Sequence, residues 1–72
     1  MNTKILKNLG KKLKEVRLQN NLTQEELAEK IGIHPTYVGK LEAGKNNPSV
    51  MMIYKFSIAL KINIMDLFDF KK

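Results

Sequence analysis

The chain has 72 residues, a length that predicts one domain. It contains no cysteine, which excludes disulfides, thiolate metal sites and a cysteine nucleophile. Thirteen lysine and arginine residues stand against seven aspartate and glutamate residues, so the formal net charge is +6. This excess predicts attraction to a polyanion: a nucleic acid, an acidic protein or an anionic membrane surface. No apolar run approaches the roughly 20 residues that span a bilayer, and the first residues do not resemble a signal peptide, so we expect a cytoplasmic protein.

The first predicted helix runs from about Lys4 to Asn20. Apolar residues recur in it at steps of three and four, which places them on one face of a helix. The expected core residues are Ile5, Leu6, Leu9, Leu13 and Val16.

The second predicted helix begins at a capping box. The Thr23 hydroxyl is expected to accept a hydrogen bond from the amide of Glu26, whose side chain reaches back to the amide of Thr23. Leu22 precedes the cap and is placed to pack on Leu27, and Gly32 ends the helix. The expected core residues are Leu27, Ala28 and Ile31.

The third predicted helix spans residues 35–43. Pro35 suits the first helical position, and it favours the extended conformation that His34 needs as the N-cap. Tyr37 or Val38 is expected to point inward, as is Leu41, and a turn follows Gly44.

Two further helices complete the pattern. Ser49 is expected to cap a helix over about residues 50–61, and Asn63 to cap a short fifth helix. The expected core residues are Val50, Ile53, Phe56 and Leu60 in the fourth helix and Ile64, Leu67 and Phe68 in the fifth. These segments predict an all-α fold, a compact five-helix bundle that forms a single domain over residues 1–72.

Two short helices joined by a tight turn around Gly32 are typical of a helix-turn-helix, here over residues 24–43. The motifs Leu22–Ala28, Ile31-Gly32, Leu41–Lys45 and Asn47–Ser49 resemble the Cro/C1-type helix-turn-helix family of phage repressors and related bacterial regulators. His34–Tyr37 further resembles the restriction–modification controller branch. The resemblance implies a lambda-repressor-like fold and binding of double-stranded DNA, with the third helix in the major groove.

The resemblance also implies roles for individual residues. Gln24 matches a position that binds a backbone phosphate, and Lys45 and Asn47 match a phosphate-contacting loop. Arg17 and Glu42 match a structural ion pair. The base-facing positions are matched by Pro35, Thr36, Gly39 and Lys40.

Several of these residues have two interpretations. Pro35 stands where the family often has a polar base-reading residue. Gly39 is either a neutral surface glycine or a point where the backbone approaches DNA closely. Tyr37 either packs inward or donates its hydroxyl to a phosphate, whereas His34 caps the helix or faces a phosphate. A lone histidine without a second ligand predicts no metal site, and no residue pattern indicates a cofactor or catalysis.

An apolar excess in the last two helices predicts a second surface. A small monomer rarely exposes a large apolar patch, so the residues are either additional core or a two-fold dimer interface, which we favour. They are Met51, Tyr54, Ile58, Ile62, Met65 and Phe70. The sequence therefore predicts a homodimeric, non-enzymatic transcriptional regulator, a repressor or autoregulator on a near-palindromic operator. The alternative is an antitoxin-type module that binds a partner protein and its own promoter.

Overall fold

Four α-helices and one 3-10 helix form the secondary structure of residues 3–70, the part of the chain that the computed structural model describes. They are α1 (Thr3–Gln19), α2 (Gln24–Ile31), α3 (Pro35–Glu42), α4 (Val50–Leu60) and the 3-10 helix (Ile64–Phe68). The all-α prediction is confirmed, but the fifth element is a 3-10 helix, a geometry common in pieces this short. Within residues 3–70, no helix is both long enough and apolar enough to cross a membrane.

One buried cluster holds the helices together. α3 packs on both α1 and α2, while α4 packs on α2 and on the 3-10 helix. Val38 is fully buried and Tyr37 only partly, so Val38 is the inward residue of α3. The largest fully buried side chains are Leu9, Leu13, Leu27, Val38, Phe56, Leu60 and Leu67. Since α1 and α2 cover the inner side of α3, its opposite side remains at the surface.

Three residues predicted to be core are instead exposed. Val50 is 75% exposed, Phe68 41% and Ile5 40%. Val50 and Ile5 lie in the first turns of α4 and α1, and Phe68 is the last residue of the 3-10 helix. The prediction is wrong at these positions because helical periodicity identifies a face of a helix and does not show how far a neighbouring element covers it.

The helix starts are formed as the sequence predicts. Thr23 Oγ1 accepts from the amide of Glu26 over 3.0 Å, and Glu26 Oε1 accepts from the amide of Thr23 over 2.8 Å, which confirms the capping box. The remaining predicted caps are confirmed as well: His34 for α3, Ser49 for α4 and Asn63 for the 3-10 helix. Local hydrogen bonds therefore fix where α2 and α3 begin.

Two helices end on a residue in the left-handed conformation. Gly32, with φ 85°, ends α2 as expected. Lys61, with φ 57°, ends α4 in the same way, although it was predicted to lie within the helix. A residue with a Cβ atom pays roughly 1–2 kcal/mol for this conformation, whereas glycine does not. The chain thus keeps a lysine where a glycine would fit better.

Gly10 allows α1 to approach the end of α3 closely. A Cβ atom at this position would lie 2.5 Å from the carbonyl oxygen of Glu42, and it would also contact the carbonyl oxygen of Leu41. Both contacts are to backbone, which cannot move aside as a flexible side chain can. The absence of a side chain at Gly10 therefore sets the position of α3 against the core.

Candidate nucleic-acid interface

An open groove lies between the start of α2 and the outward side of α3, and we call it the α2–α3 groove. Its volume is about 420 Å³. It is lined by Gln24, Glu25, Pro35, Thr36, Gly39, Lys40, Ala43 and Lys45. The fold thus brings the predicted base-facing residues of α3 together with Gln24 and Lys45, which lie in different elements.

The other predicted contact residues lie around the groove. Asn47 is exposed in the loop that follows α3, and Tyr37 is half-buried against the core. His34 is exposed, and its Nδ1 accepts a 3.1 Å hydrogen bond from the amide of Thr36. Because Nδ1 acts as the acceptor, the neutral ring carries its proton on Nε2, which remains a donor toward an external group.

A hydrogen-bonded network below the groove links three helices. Arg17 Nε lies 2.6 Å from Glu42 Oε2, and Arg17 Nη2 lies 3.1 Å from Glu42 Oε1, with both side chains buried. Arg17 Nη1 also donates to the carbonyl of Leu22 over 2.7 Å. The predicted pair is therefore bidentate, and it joins α1 to the end of α3.

Gln24 is part of the same network. Its Nε2 donates to Glu42 Oε1 over 3.0 Å. Because an ionised carboxylate only accepts hydrogen bonds, this contact fixes which end of the amide faces Glu42. The carboxylate that completes the buried ion pair therefore also orients a side chain on the wall of the groove.

Gly39 lies beside the side chain of Gln24 in the groove. A Cβ atom at Gly39 would meet Gln24 Oε1 at 3.5 Å, which is an ordinary van der Waals distance. Packing within the protein therefore does not require glycine here, in contrast to Gly10. The glycine at this position is therefore not explained by packing within the protein.

The sequence that forms these helices matches a known family. The helix-turn-helix family matches residues 13–67 of the chain. The chain belongs to the Cro/C1-type helix-turn-helix family. It is a DNA-binding transcriptional regulator.

Three similar proteins place this regulator near the restriction–modification controllers. It is 40% identical over 62 residues to the control protein C.BamHI of Bacillus amyloliquefaciens, a match that covers 85% of this chain and 76% of that one. The crystal structure of the controller C.AhdI of Aeromonas hydrophila is 39% identical, with a TM-score of 0.84 over 86% of this chain and 94% of that one. The C.Esp1396I controller tetramer, in complex with its natural 35 base-pair operator, is 25% identical, with a TM-score of 0.81 over 90% of this chain and 86% of that one.

Sequence reasoning missed two residues of the α2–α3 groove in this Cro/C1-type regulator. Glu25 and Ala43 both line it. Glu25 directly follows Gln24, and its position in the first turn of α2 was the available signal. The hydrogen bond from Gln24 to Glu42 was missed too, because it joins residues 18 positions apart and depends on how α2 packs on α3.

The predicted dimer residues divide into two groups in the structure. Ile62 and Phe70 are half-buried and pack against the core. The others are exposed on α4 and the 3-10 helix, and we call them together the apolar patch: Met51, Tyr54, Ile58 and Met65. Met65 is the most exposed of them, at 73%.

Proposed function

We propose that the chain is a homodimeric repressor or autoregulator of transcription, which places α3 in successive major grooves of a near-palindromic operator. The observation that carries the proposal is the convergence of Gln24, Thr36, Gly39, Lys40 and Lys45 on the α2–α3 groove. B-form DNA has a major groove about 12 Å wide, which admits one helix. The proposal is further supported by C.Esp1396I, a relative whose tetramer binds a 35 base-pair operator.

Each side of the groove has its own task in this proposal. Gln24 and the free amides at the start of α2 bind a backbone phosphate, as do Lys45 and Asn47 after α3. Thr36 and Lys40 are exposed on α3 and read base edges. Phosphate contacts thereby fix the orientation of α3, and its outward residues supply the specificity.

A second copy of the chain is needed to read two major grooves. Residues 3–70 extend 28 Å along their longest axis and carry one helix with the DNA-contacting positions, whereas successive major grooves on one side of DNA are about 34 Å apart. The apolar patch supplies the surface for pairing, since a patch of this kind is seldom left open on a small monomer. The antitoxin-type alternative is less favoured because the similar proteins are controllers.

The remaining parts of the proposal concern organisation and chemistry. We assign residues 1–72 to one domain that acts without catalysis in the cytoplasm. Support comes from the relatives, which are regulators.

The proposal is tested by selection from a random duplex library at about 150 mM salt, where non-specific binding is weak. We expect a two-fold symmetric motif with half-sites one helical turn apart. The variant Met65→Glu, which places a charge in the apolar patch, should sediment as a monomer and select single half-sites with lower affinity. Recovery of unenriched sequences by the wild-type chain would contradict the proposal.

A further inference from the structure

A second groove lies on a different side of the molecule, between the end of α2 and the second half of α4. Its volume is about 430 Å³, and we call it the lysine groove. It is lined by Lys30, Ile31, Tyr54, Lys55, Ile58, Ala59 and Lys61. None of these residues lines the α2–α3 groove, so an occupant here leaves the DNA-facing residues free.

All the charged side chains that line the lysine groove are positive. Lys30, Lys55 and Lys61 are exposed, and no acidic residue lines the groove. Within residues 3–70 these three lysines form no ion pair with the chain's own carboxylates. The ammonium groups are therefore available to carboxylates from outside, beside a floor of Ile31, Ala59 and the apolar part of Tyr54.

The backbone conformation of Lys61, which also lines this groove, is unusual for a lysine. Lys61 holds the left-handed conformation that Gly32 holds at the end of α2. Glycine is the residue that adopts this conformation without strain. Strained positions of this kind cluster at functional sites, and at Lys61 the side chain adds a positive charge to the groove.

We propose that the lysine groove binds an acidic amphipathic helix of a partner protein. Apolar side chains of such a helix would cover the floor, while its carboxylates would pair with the three lysines. A second copy of this chain suits the groove poorly. A two-fold interface brings the same surface together from both copies, so lysines would meet lysines.

Binding of this partner has a consequence for the dimer, and this step rests on the proposed function. Tyr54 and Ile58 belong both to the lysine groove and to the apolar patch. The partner helix and the second copy therefore compete for them. A partner that binds here releases monomers, which weakens occupancy of a two-half-site operator without touching the DNA-facing residues.

The test uses a synthetic peptide about three helical turns long, with leucine on one face and glutamate on the other. It is titrated into the isotope-labelled full chain, and backbone amide shifts are mapped by NMR. We expect the largest shifts at Lys30, Tyr54, Lys55 and Ile58. A peptide of the same composition in scrambled order is the control for simple charge attraction, and equal binding of the two would overturn the proposal.

Two matched double variants locate the binding site. Lys55→Glu/Lys61→Glu should weaken peptide binding about tenfold, since each lost pair becomes a repulsion. Lys40→Glu/Lys45→Glu changes the same charge in the α2–α3 groove and should leave peptide affinity within about twofold. Equal losses in the two variants would overturn the proposal. The proposal would also be overturned if anionic lipid vesicles bound to the groove and the peptide did not.

Lys61→Gly separates the role of this lysine from stability. The variant should raise Tm, because glycine relieves the strained conformation, and it should lower peptide affinity. A variant with raised Tm and unchanged affinity would overturn the role of Lys61.

Operator binding by the wild-type chain is measured alongside peptide binding. If the chain binds operator but not the peptide, only this inference is rejected. If it binds the peptide but not operator, only the proposed function is rejected.

Discussion

Gly10 in α1 and Gly39 in α3 both lie within helices, but the space around them differs. Gly10 faces the backbone at the end of α3, where a Cβ atom would be 2.5 Å from the carbonyl oxygen of Glu42. Gly39 faces outward, and a Cβ atom there would be at an ordinary distance from Gln24. The fold requires glycine at position 10 and not at position 39, where we propose that DNA approaches the backbone closely.

Replacing each glycine by alanine should therefore give opposite effects on stability. Gly10→Ala should lower the free energy of unfolding by about 1–3 kcal/mol through overpacking. Gly39→Ala should raise it by up to about 1 kcal/mol through helix propensity, yet weaken operator binding. Urea unfolding and a fluorescence titration with operator measure the two quantities. Operator affinity unchanged in Gly39→Ala would show that DNA does not approach closely at this position.

The carboxylate of Glu42 gives a second residue-scale prediction. Glu42→Leu leaves the buried Arg17 unpaired, which should cost about 3–5 kcal/mol of stability. Adding Arg17→Met should recover most of that loss, since an apolar pair replaces a buried ion pair well. Operator affinity should stay low in the double variant, because Gln24 has still lost its acceptor. Wild-type affinity in the stable double variant would contradict an orienting role for Glu42.

At the scale of elements, the sequence predicts where helices begin better than it predicts where they end or which of their residues neighbouring elements bury. Thr23, His34 and Ser49 were identifiable because an N-cap bonds to an amide two or three residues away. The exposure of Val50 was not, because it depends on neighbouring elements, and the end of α4 at Lys61 was not, because a lysine there adopts a conformation that favours glycine. The groove residues of α3 followed from the resemblance, whereas the hydrogen bond from Gln24 to Glu42 emerged only from the packing of α2 on α3.

The caps provide a prediction for α3 as an element. His34→Ala and Ser49→Ala each remove one side-chain cap and should each cost about 0.5–2 kcal/mol of stability. Only His34→Ala should weaken operator binding by fully folded protein, since His34 caps the helix that enters the major groove. Equal affinities of the two variants, measured well below their melting temperatures, would argue against a role for the start of α3 in recognition.

For the whole molecule, the net charge of +6 makes operator binding dependent on salt. Lys45 follows α3 in the α2–α3 groove, whereas Lys55 lies on α4 away from it. Lys45→Ala should reduce the slope of log affinity against log salt by about one, which corresponds to one lost phosphate contact. Lys55→Ala, which removes the same charge, serves as the control and should leave the slope nearly unchanged. Equal slopes for the two variants would contradict the placing of Lys45 at a phosphate.

The outward side of α3 also bears on how such regulators diverge. Within residues 3–70, the side chains of Thr36 and Lys40 are exposed and form no hydrogen bond, while Val38 and Leu41 anchor the helix beneath them. Substitutions at the two outward positions therefore carry little penalty in folding. A duplicated copy can acquire a different operator while its scaffold stays intact, so two descendants in one cell can control separate promoters without interfering with each other.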